Sequence, residues 1–402
     1  MPRNRGHALS KDFSRLWVAN AISTLGDGAL LAAGPLLVAS MTSNPVLISG
    51  AVFVQMLPWL LFSFVIGVYV DRLDKRKILV TANVLRTIAV GGLAVAIGIH
   101  EVSIPLIYAA LFLLGIGDTL ADGGAVTLLT KLVDKSQLRL ANSRLSGAGT
   151  FGRQLAGPPL GAYLFVVAVA LPFGLDAVSF VIATMLIISI KLRVPDSHTQ
   201  VRERKHFIAE MKDGFIHLKQ ASLLKTLTYI NFTVNITSAA IGATLVIYAK
   251  RQLHLQPLGY GVFLSAAAVG GIVGAFITPK LHARFPKPRI LLGVLALEAA
   301  FNLSFGFLHS PWIAGALYAL WSIIGNVWFL TILSLRQQTV TAEILGRVNG
   351  IYNFYRMGGV AVGALIGGIF VSHFGVTAPY WIGGVVVGLV TVINWQKLST
   401  TK

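Results

Sequence analysis

The chain has 402 residues, of which 55% are hydrophobic and 12% are charged, and its formal net charge is +18. Soluble domains usually carry about 25% charged residues, and a soluble chain this apolar would expose large apolar patches and aggregate. The composition therefore excludes an ordinary soluble protein and indicates that a lipid bilayer surrounds most of the chain.

The first predicted element is a membrane span that begins at Leu16. It follows a basic N-terminus and is too long for a cleaved signal peptide, so we expect it to remain in the protein. A spanning helix needs about 17–25 mainly apolar residues. Twelve segments meet this criterion and predict an all-α membrane protein, with helices at approximately 16–40, 46–70, 78–100, 104–130, 142–168, 173–191, 225–249, 258–280, 289–309, 312–335, 347–372 and 378–396.

The distribution of basic residues predicts the orientation of these spans. An even number of spans puts both termini on one side, and most of the 33 lysines and arginines lie on that side. Only Lys250 and Arg251 fall in connections on the other side. Because Lys and Arg concentrate in cytoplasmic loops, we predict that both termini are cytoplasmic. The positive charge then reports topology, and we expect no nucleic-acid partner.

A polar linker at residues 192–224 divides the spans into six plus six. Apolar residues at helical spacing within 207–218 predict an amphipathic helix along the cytoplasmic interface. The linker separates a predicted bundle at 1–191 from a second bundle at 225–402.

The two predicted bundles carry a weak internal repeat. When the second half is aligned on the first, Asn142 corresponds to Asn349 and Gly67 corresponds to Gly274. Two-half repeats are typical of transporters, in which the substrate site lies near the midplane between the halves. We therefore predict two pseudo-symmetric six-helix bundles.

Glycine and proline recur in the fifth and eleventh predicted spans. Small residues four positions apart let helices pack closely, whereas proline bends a helix. We interpret these residues as sites of close helix packing rather than of direct function, and they are Gly157, Pro158, Gly161, Gly359, Gly363 and Gly367.

Ionisable residues inside the spans are the candidates for proton coupling or substrate contact. A charge at the bilayer centre costs at least about 2.5 kcal/mol, so it usually faces a cavity or a partner. One alternative is a buried structural ion pair, such as Asp27 with Arg153. We favour function for those two residues, whereas Arg86 is expected to extend to the inner membrane surface. The complete candidate set is Asp27, Asp118, Asp122, Arg153, Glu298 and Arg356.

Other chemistry finds no support in the sequence. It contains no zinc-protease helix, no phosphate-binding Gly-Lys-Ser/Thr loop and no nucleophile elbow. We therefore expect no enzymatic activity, no catalytic residue, no cofactor and no metal site. Energy for any transport would come from an ion gradient.

The loop between the second and third spans reads "GVYVDRLDKR" and is similar to the signature loop of the major facilitator superfamily. In that loop Tyr69 replaces a leucine and Asp74 replaces a glycine. The resemblance implies a gate, in which basic and acidic residues bind a neighbouring helix end in one of two conformers. The copy after the eighth span has Thr278 where the Asp would stand. The matching gate residues are Gly67, Asp71, Arg72, Lys75 and Arg76.

Within this superfamily the chain resembles the drug:proton antiporter branch that includes macrolide-efflux proteins and the enterobactin exporter. The stretches "STLGDGAL" and "GDTLADGGAVTLLTKLV" carry this resemblance. Arg153 departs from it, because the branch has a glycine at that position. Asp118 and Asp122 stand in a span where many members carry an arginine. We predict that Asp27, Asp122 and Arg153 share the proton pathway.

These observations predict a proton-coupled exporter of an amphipathic drug or natural product that works by alternating access. Trp59, Trp321 and Trp328 would supply apolar walls of its cavity. We expect a monomer in the inner (cytoplasmic) membrane, with the lipid bilayer, protons and a small substrate as partners. One alternative is a dedicated siderophore or metabolite exporter. An alternative of another class is a membrane scaffold or sensor that transports nothing.

Overall fold

The computed structural model of the protein describes residues 9–72, 74–134, 136–190 and 222–400, and these ranges are almost entirely helical. The helices are α1 Lys11–Met41, α2 Pro45–Arg72, α3 Lys75–Gly98, α4 Ile104–Leu132, α5 Leu138–Gly149, α6 Gly157–Val167, α7 Leu171–Ile188, α8 Ser222–Arg251, α9 Pro257–Arg284, α10 Lys287–Phe305, α11 Pro311–Thr339, α12 Ala342–Phe374 and α13 Ala378–Thr400. A π-helical segment, Thr150–Ala156, joins α5 to α6. The amphipathic helix predicted within 207–218 lies outside the described residues.

The predicted all-helical membrane fold is confirmed. In the described ranges, 11 helices are long and apolar enough to cross a membrane. The remaining predicted span, 142–168, corresponds to α5, the π-helical segment and α6 in sequence. Each α-helix there is too short to span alone, since a spanning helix needs about 17–25 residues. The fifth span is therefore one continuous helical run whose α-helical pattern is interrupted by the π-helical segment.

Two consecutive prolines accompany this interruption. Pro158 and Pro159 have no N–H, so they cannot donate to carbonyl groups one turn earlier. The Gly157 N–H donates to the Gly152 carbonyl, five residues back, which is the π-helical pattern. The hydroxyl of Ser265 donates to the Leu155 carbonyl at 2.7 Å. A side chain from α9 thus supplies a donor where the prolines cannot.

The chain divides into two compact units, each packed mainly within itself. Unit 1 comprises residues 1–41, 54–200 and 257–265, and unit 2 comprises 42–53, 201–256 and 266–402. Neither unit is one continuous stretch of sequence. The boundaries predicted for the two bundles therefore stay a prediction.

In unit 1, helix α1 packs against α7, α6 and the π-helical segment. Glycines make this approach possible. A Cβ added to Gly161 would lie 2.1 Å from the carbonyl oxygen of Ala29, and one on Gly157 would lie 2.5 Å from the Cα of Gly28. Side chains at these positions would hold the helices apart, so the seam depends on glycine.

In unit 2, helices α8 and α12 share a similar seam. Three glycines of α12 lie against backbone carbonyl groups of α8 at successive turns. An added Cβ would lie 2.8, 2.2 and 2.5 Å from the nearest of these carbonyl oxygens for Gly359, Gly363 and Gly367, respectively. A second contact joins α10 to α13, and its core includes the fully buried Leu291, Leu295, Val387 and Leu398.

We expect Gly363→Ala to destabilise the protein by roughly 1–3 kcal/mol, because the added methyl group would meet the Ile236 carbonyl oxygen at 2.2 Å. Gly350 lies on the same helix and has nothing within 4 Å of an added Cβ. Gly350→Ala is therefore the matched control and should be neutral or slightly stabilising. Thermal unfolding of the purified variants in detergent makes the comparison. Equal midpoints would contradict the close contact of α8 with α12.

Candidate functional site

A cavity of about 200 Å³ lies within unit 2, between helices α8, α10, α11 and α12. Residues three or four positions apart share one helix face. By that spacing, α8 turns Asn231, Asn235 and Ser238 towards the cavity, and α11 turns Trp321 and Trp328 towards it. An apolar cavity with a few convergent polar groups is the usual form of a small-molecule site.

Glu298 of α10 is the acid that lines this cavity. It is 4% exposed, and its Oε1 accepts a hydrogen bond from the Ser238 hydroxyl at 3.1 Å. A hydroxyl group can donate to a carboxylate or accept from a carboxylic acid. The contact of Ser238 with Glu298 is therefore compatible with both protonation states of the acid.

Aromatic and amide side chains also line the cavity. The Trp328 indole Nε1 donates to Oδ1 of Asn231 at 3.2 Å, and both side chains are buried. The amide Nδ2 of Asn231 is buried without a hydrogen-bond partner in the described structure. Trp321 stacks on Tyr318 with ring planes 10° apart. A ligand could stack on these rings and accept from the Asn231 amide.

Arg356 gives the cavity a basic end, and Arg336 lies outside the lining against Tyr352. Arg356 lines the cavity, and its Nε donates to Oδ1 of Asn353 at 3.2 Å. Arg336 is 8% exposed, and its guanidinium carbon lies 3.7 Å from the ring centroid of Tyr352, another lining residue. A cation this close to an aromatic face is attracted by the ring. Sequence analysis omitted Arg336 because the predicted span ended at residue 335.

A second group of ionisable residues lies in unit 1. Arg86 of α3 and Asp118 of α4 form an ion pair with 2.5 Å between Nη2 and Oδ1. Arg86 is 8% exposed, and its guanidinium lies 5.1 Å from the Phe180 ring centroid. The prediction that Arg86 extends to the membrane surface was wrong. An acid on a neighbouring helix offers it a partner inside the bundle.

Asp27 and Arg153 lie on packed elements of unit 1. Gly28, beside Asp27, sits against the backbone of Gly152 and Arg153. Asp27 is partly buried and Arg153 is exposed. Their predicted ion pair stays a prediction, and the side chain of Asp122 lies outside what the structure describes.

Asp176 of α7 is a buried acid that sequence analysis omitted. It has no exposed surface, and its Oδ1 accepts from the Ser179 hydroxyl at 3.1 Å. The rule that selected Asp27, an ionisable residue within a predicted span, applies equally to Asp176 in "LPFGLDAVSF". The signal was present in the sequence.

Part of the predicted gate motif lies at the start of α3 and contacts the C-terminal end of α7. Asp74 caps α3 by accepting from the Arg76 backbone N–H at 2.9 Å. The Arg76 guanidinium donates to the Ile188 carbonyl, and Arg15 donates to the Ser189 carbonyl at 2.8 Å. Cations stabilise the C-terminal end of a helix, where carbonyl groups lack partners. The side chains of Asp71 and Arg72 lie outside the described part, and Lys75 is buried.

The sequence profile described as Major Facilitator Superfamily matches residues 16–364. The chain belongs to this superfamily. The resemblance drawn from the gate loop is thereby confirmed, and the protein is a multi-pass membrane transporter rather than an enzyme. Superfamily membership also favours transport over the alternative of a scaffold or sensor.

Relatives of this superfamily member include siderophore exporters. It is 27% identical over 376 residues to "Enterobactin exporter EntS" of Shigella dysenteriae serotype 1 (strain Sd197), which covers 89% of this chain and 85% of that protein. It is also 27% identical over 375 residues to the same exporter of Escherichia coli O1:K1 / APEC, with the same coverage. The similarity extends over most of both chains.

Solved structures share the superfamily fold at low sequence identity. A bacterial homologue of the iron transporter ferroportin in the inward-facing state has a TM-score of 0.75 and 17% identity, covering 98% of this chain and 100% of that chain. The nucleoside transporter NupG has a TM-score of 0.77 and 10% identity, with the same coverage. At these identities the similarity establishes the fold alone.

We expect Trp328→Phe to destabilise the protein by about 1–3 kcal/mol, because Oδ1 of the buried Asn231 would lose its donor. Trp312 is 86% exposed, so Trp312→Phe is the matched control. Adding Asn231→Leu to Trp328→Phe should recover part of the loss, since both partners are then apolar. Thermal unfolding in detergent measures each variant. Additive effects of the two substitutions would contradict the hydrogen bond.

Arg76→Gln should destabilise the protein by about 0.3–1 kcal/mol, because the C-terminal end of α7 would lose a cation that donates to it. The neighbouring Lys77 is exposed, so Lys77→Gln removes the same charge without that contact. Unfolding midpoints at low ionic strength compare the two. A loss as large in Lys77→Gln would show that net charge, rather than the helix-end contact, is responsible.

Proposed function

We propose that the protein exports small amphipathic organic molecules, drugs or natural products, in exchange for protons that move inward. The observation that supports this most directly is the cavity in unit 2, where the buried Glu298 faces aromatic walls. A site of this composition suits a ligand with apolar surface and a few polar groups. The protein would work as a monomer in the cytoplasmic membrane by alternating access.

Different lining residues would bind different parts of the substrate. Trp321, Trp328 and Phe329 offer aromatic surface on which a flat or apolar part of the substrate packs. Asn235 and Asn231 offer amide groups at the same surface. Orientation would come from these amides, because apolar packing alone is non-directional.

Glu298 is the proposed proton carrier of this cavity. An ionised carboxylate so buried is costly, so its charge and the charge of a bound substrate influence each other strongly. A substrate that binds one protonation state better shifts the population towards the conformer that favours that state. Ser238 would keep the carboxyl group oriented through the exchange, since its hydroxyl both donates and accepts.

Other residues complete the proposal. The coupling residues of unit 1 would be Asp27, Asp118, Asp122 and Arg153. The gate would use Gly67, Asp71, Arg72, Lys75 and Arg76, and the contact of Arg76 with the end of α7 supports a latch of this kind. Breaking and remaking such helix-end contacts would accompany alternating access.

A dedicated siderophore exporter is the second candidate. Two observations favour it: the similarity to enterobactin exporters and the basic end of the cavity. Arg356, with Arg336 close by, would attract an acidic group such as a phenolate or carboxylate. The two candidates share the transport mechanism and differ in the charge of the substrate.

We expect Glu298→Gln to lower proton-driven transport in proteoliposomes at least tenfold, because the amide cannot carry a proton. A panel of a macrolide, a cationic dye and a catecholate, each tested with an inward proton gradient, reports which class is moved. Glu101 is exposed and lies between α3 and α4, so Glu101→Gln is the matched control and should transport normally.

Substrate exchange without a gradient should persist in Glu298→Gln, since exchange needs binding and alternating access but no net proton movement. Gradient-driven transport at the wild-type rate would sink the role of Glu298. Transport of the catecholate alone, lost in Arg356→Ala, would favour the siderophore candidate over the drug candidate.

A further inference from the structure

Asp176 is a buried acid whose electrostatic neighbours in unit 1 are other ionisable side chains. Asp176 of α7 interacts electrostatically with Asp27 of α1, Arg86 of α3 and Asp118 of α4. Helix α7 packs against α1 and α3, and α3 packs against α4. Asp176 thus lies near both like and opposite charges, at a place where uncompensated charge is costly.

The base is already engaged by one of the acids. Arg86 and Asp118 form the ion pair at 2.5 Å, and Phe180 lies against the same guanidinium. One guanidinium carries one positive charge. Arg86 is therefore already engaged by Asp118, and Asp176 forms no ion pair among the described residues.

The hydrogen bonds of the Asp176 carboxyl group leave one of its oxygens able to carry a proton. The Ser179 hydroxyl lies 2.7 Å from the Asp176 carbonyl oxygen and 3.1 Å from Oδ1, so these two acceptors share its single hydrogen. Oδ2 of Asp176 is buried and has no hydrogen-bond partner in the described structure. A buried carboxylate oxygen without a donor is unfavourable, whereas a protonated carboxyl group carries no charge.

Gly26 of α1 leaves the space that the Asp176 carboxyl group occupies. A Cβ on Gly26 would lie 2.1 Å from Oδ1 of Asp176 and 2.7 Å from the Ser179 hydroxyl. The carboxyl group therefore rests directly on the backbone of α1, one residue before Asp27. A change of charge on Asp176 acts on the contact between α1 and α7.

We propose that Asp176 and Asp27 form a carboxyl pair that holds one exchangeable proton, with Asp176 as a proton-binding residue of unit 1. Two carboxyl groups that share a poorly solvated site titrate as a pair, because both cannot ionise cheaply. The role of this pair in transport rests on the proposed function, whereas proton binding itself does not.

Loss of the shared proton has a mechanical consequence. Two negative charges then lie on the packed helices α1 and α7, at the place where the Asp176 carboxyl group rests on Gly26. Conformers in which the helices separate or water enters become more populated. Proton binding closes this contact, and proton release loosens it.

The test uses the purified full-length protein in nanodiscs and infrared difference spectra recorded against pH. The carbonyl band of a protonated carboxyl group is expected in the wild-type protein and should be lost or at least halved in Asp176→Asn. The exposed Asp134 supplies the control, and Asp134→Asn should leave the band unchanged. Glu298→Gln, measured in parallel, separates any band from unit 2.

Two further variants guard against a merely structural effect. Asp27→Asn removes the like charge beside Asp176, so the band should disappear over a different pH range. Ser179→Ala keeps the carboxyl group but removes its donor, so the band should change frequency. An unaltered band in Asp176→Asn, or the same pH range in Asp27→Asn, overturns the proposal.

The outcome is separate from that of the transport assay. If wild-type protein moves no member of the substrate panel but shows the Asp176 band, the proposed function fails and the proton pair stands. If transport is proton-driven and Asp176→Asn is fully coupled, with no change in the band, the pair fails and the proposed function stands.

Discussion

Charge inside the hydrocarbon layer must find a partner, a cavity or a proton, and the rest of this structure depends on that constraint. Arg86 finds a carboxylate on the next helix, and Arg336 finds an aromatic face. Glu298 finds a hydroxyl group beside a cavity. Asp176 has a buried Oδ2 without a donor in the described structure, and the proton proposed for it would remove its charge.

Close backbone contact is the second organising feature. Glycines bring α1 against α6 in unit 1 and α8 against α12 in unit 2. Without a strong hydrophobic drive between helices in lipid, such contacts supply much of the packing energy. They also fix which helix faces remain available for polar groups. The cavity lies beside the seam of α8 and α12, and Asp176 lies where Gly26 of α1 meets α7.

Helical periodicity made the fold and the glycine seams predictable. Spacing alone identifies which residues share a face, so Gly359, Gly363 and Gly367 could be grouped from the sequence. Partners on other helices are not encoded in spacing. For that reason Arg86 was misplaced, although Asp118 had been identified as a candidate. Glu298 and Arg356 were each selected, but only the tertiary fold brings them to one cavity.

Two residues and the π-helical segment were not predicted, each for a different reason. Asp176 stood within a predicted span and met the criterion applied to the other acids. Arg336 stood one residue beyond a predicted boundary, where such boundaries are least reliable. The π-helical segment could not be predicted from the sequence. The prolines alone predict only a bend, and the donor Ser265 lies on another helix.

Helix α8 makes two different kinds of contact along its length. The carbonyl groups of Ile236 and Ala240 meet the glycines of α12, whereas Asn231 and Ser238 face the cavity. The first contact is made mainly by backbone atoms, so it depends on the glycines of α12 more than on the side chains of Asn231 and Ser238. Substitutions on the cavity face can thus alter which molecules are accepted while the scaffold keeps its geometry. A lineage of such proteins could diversify its cargo without refolding.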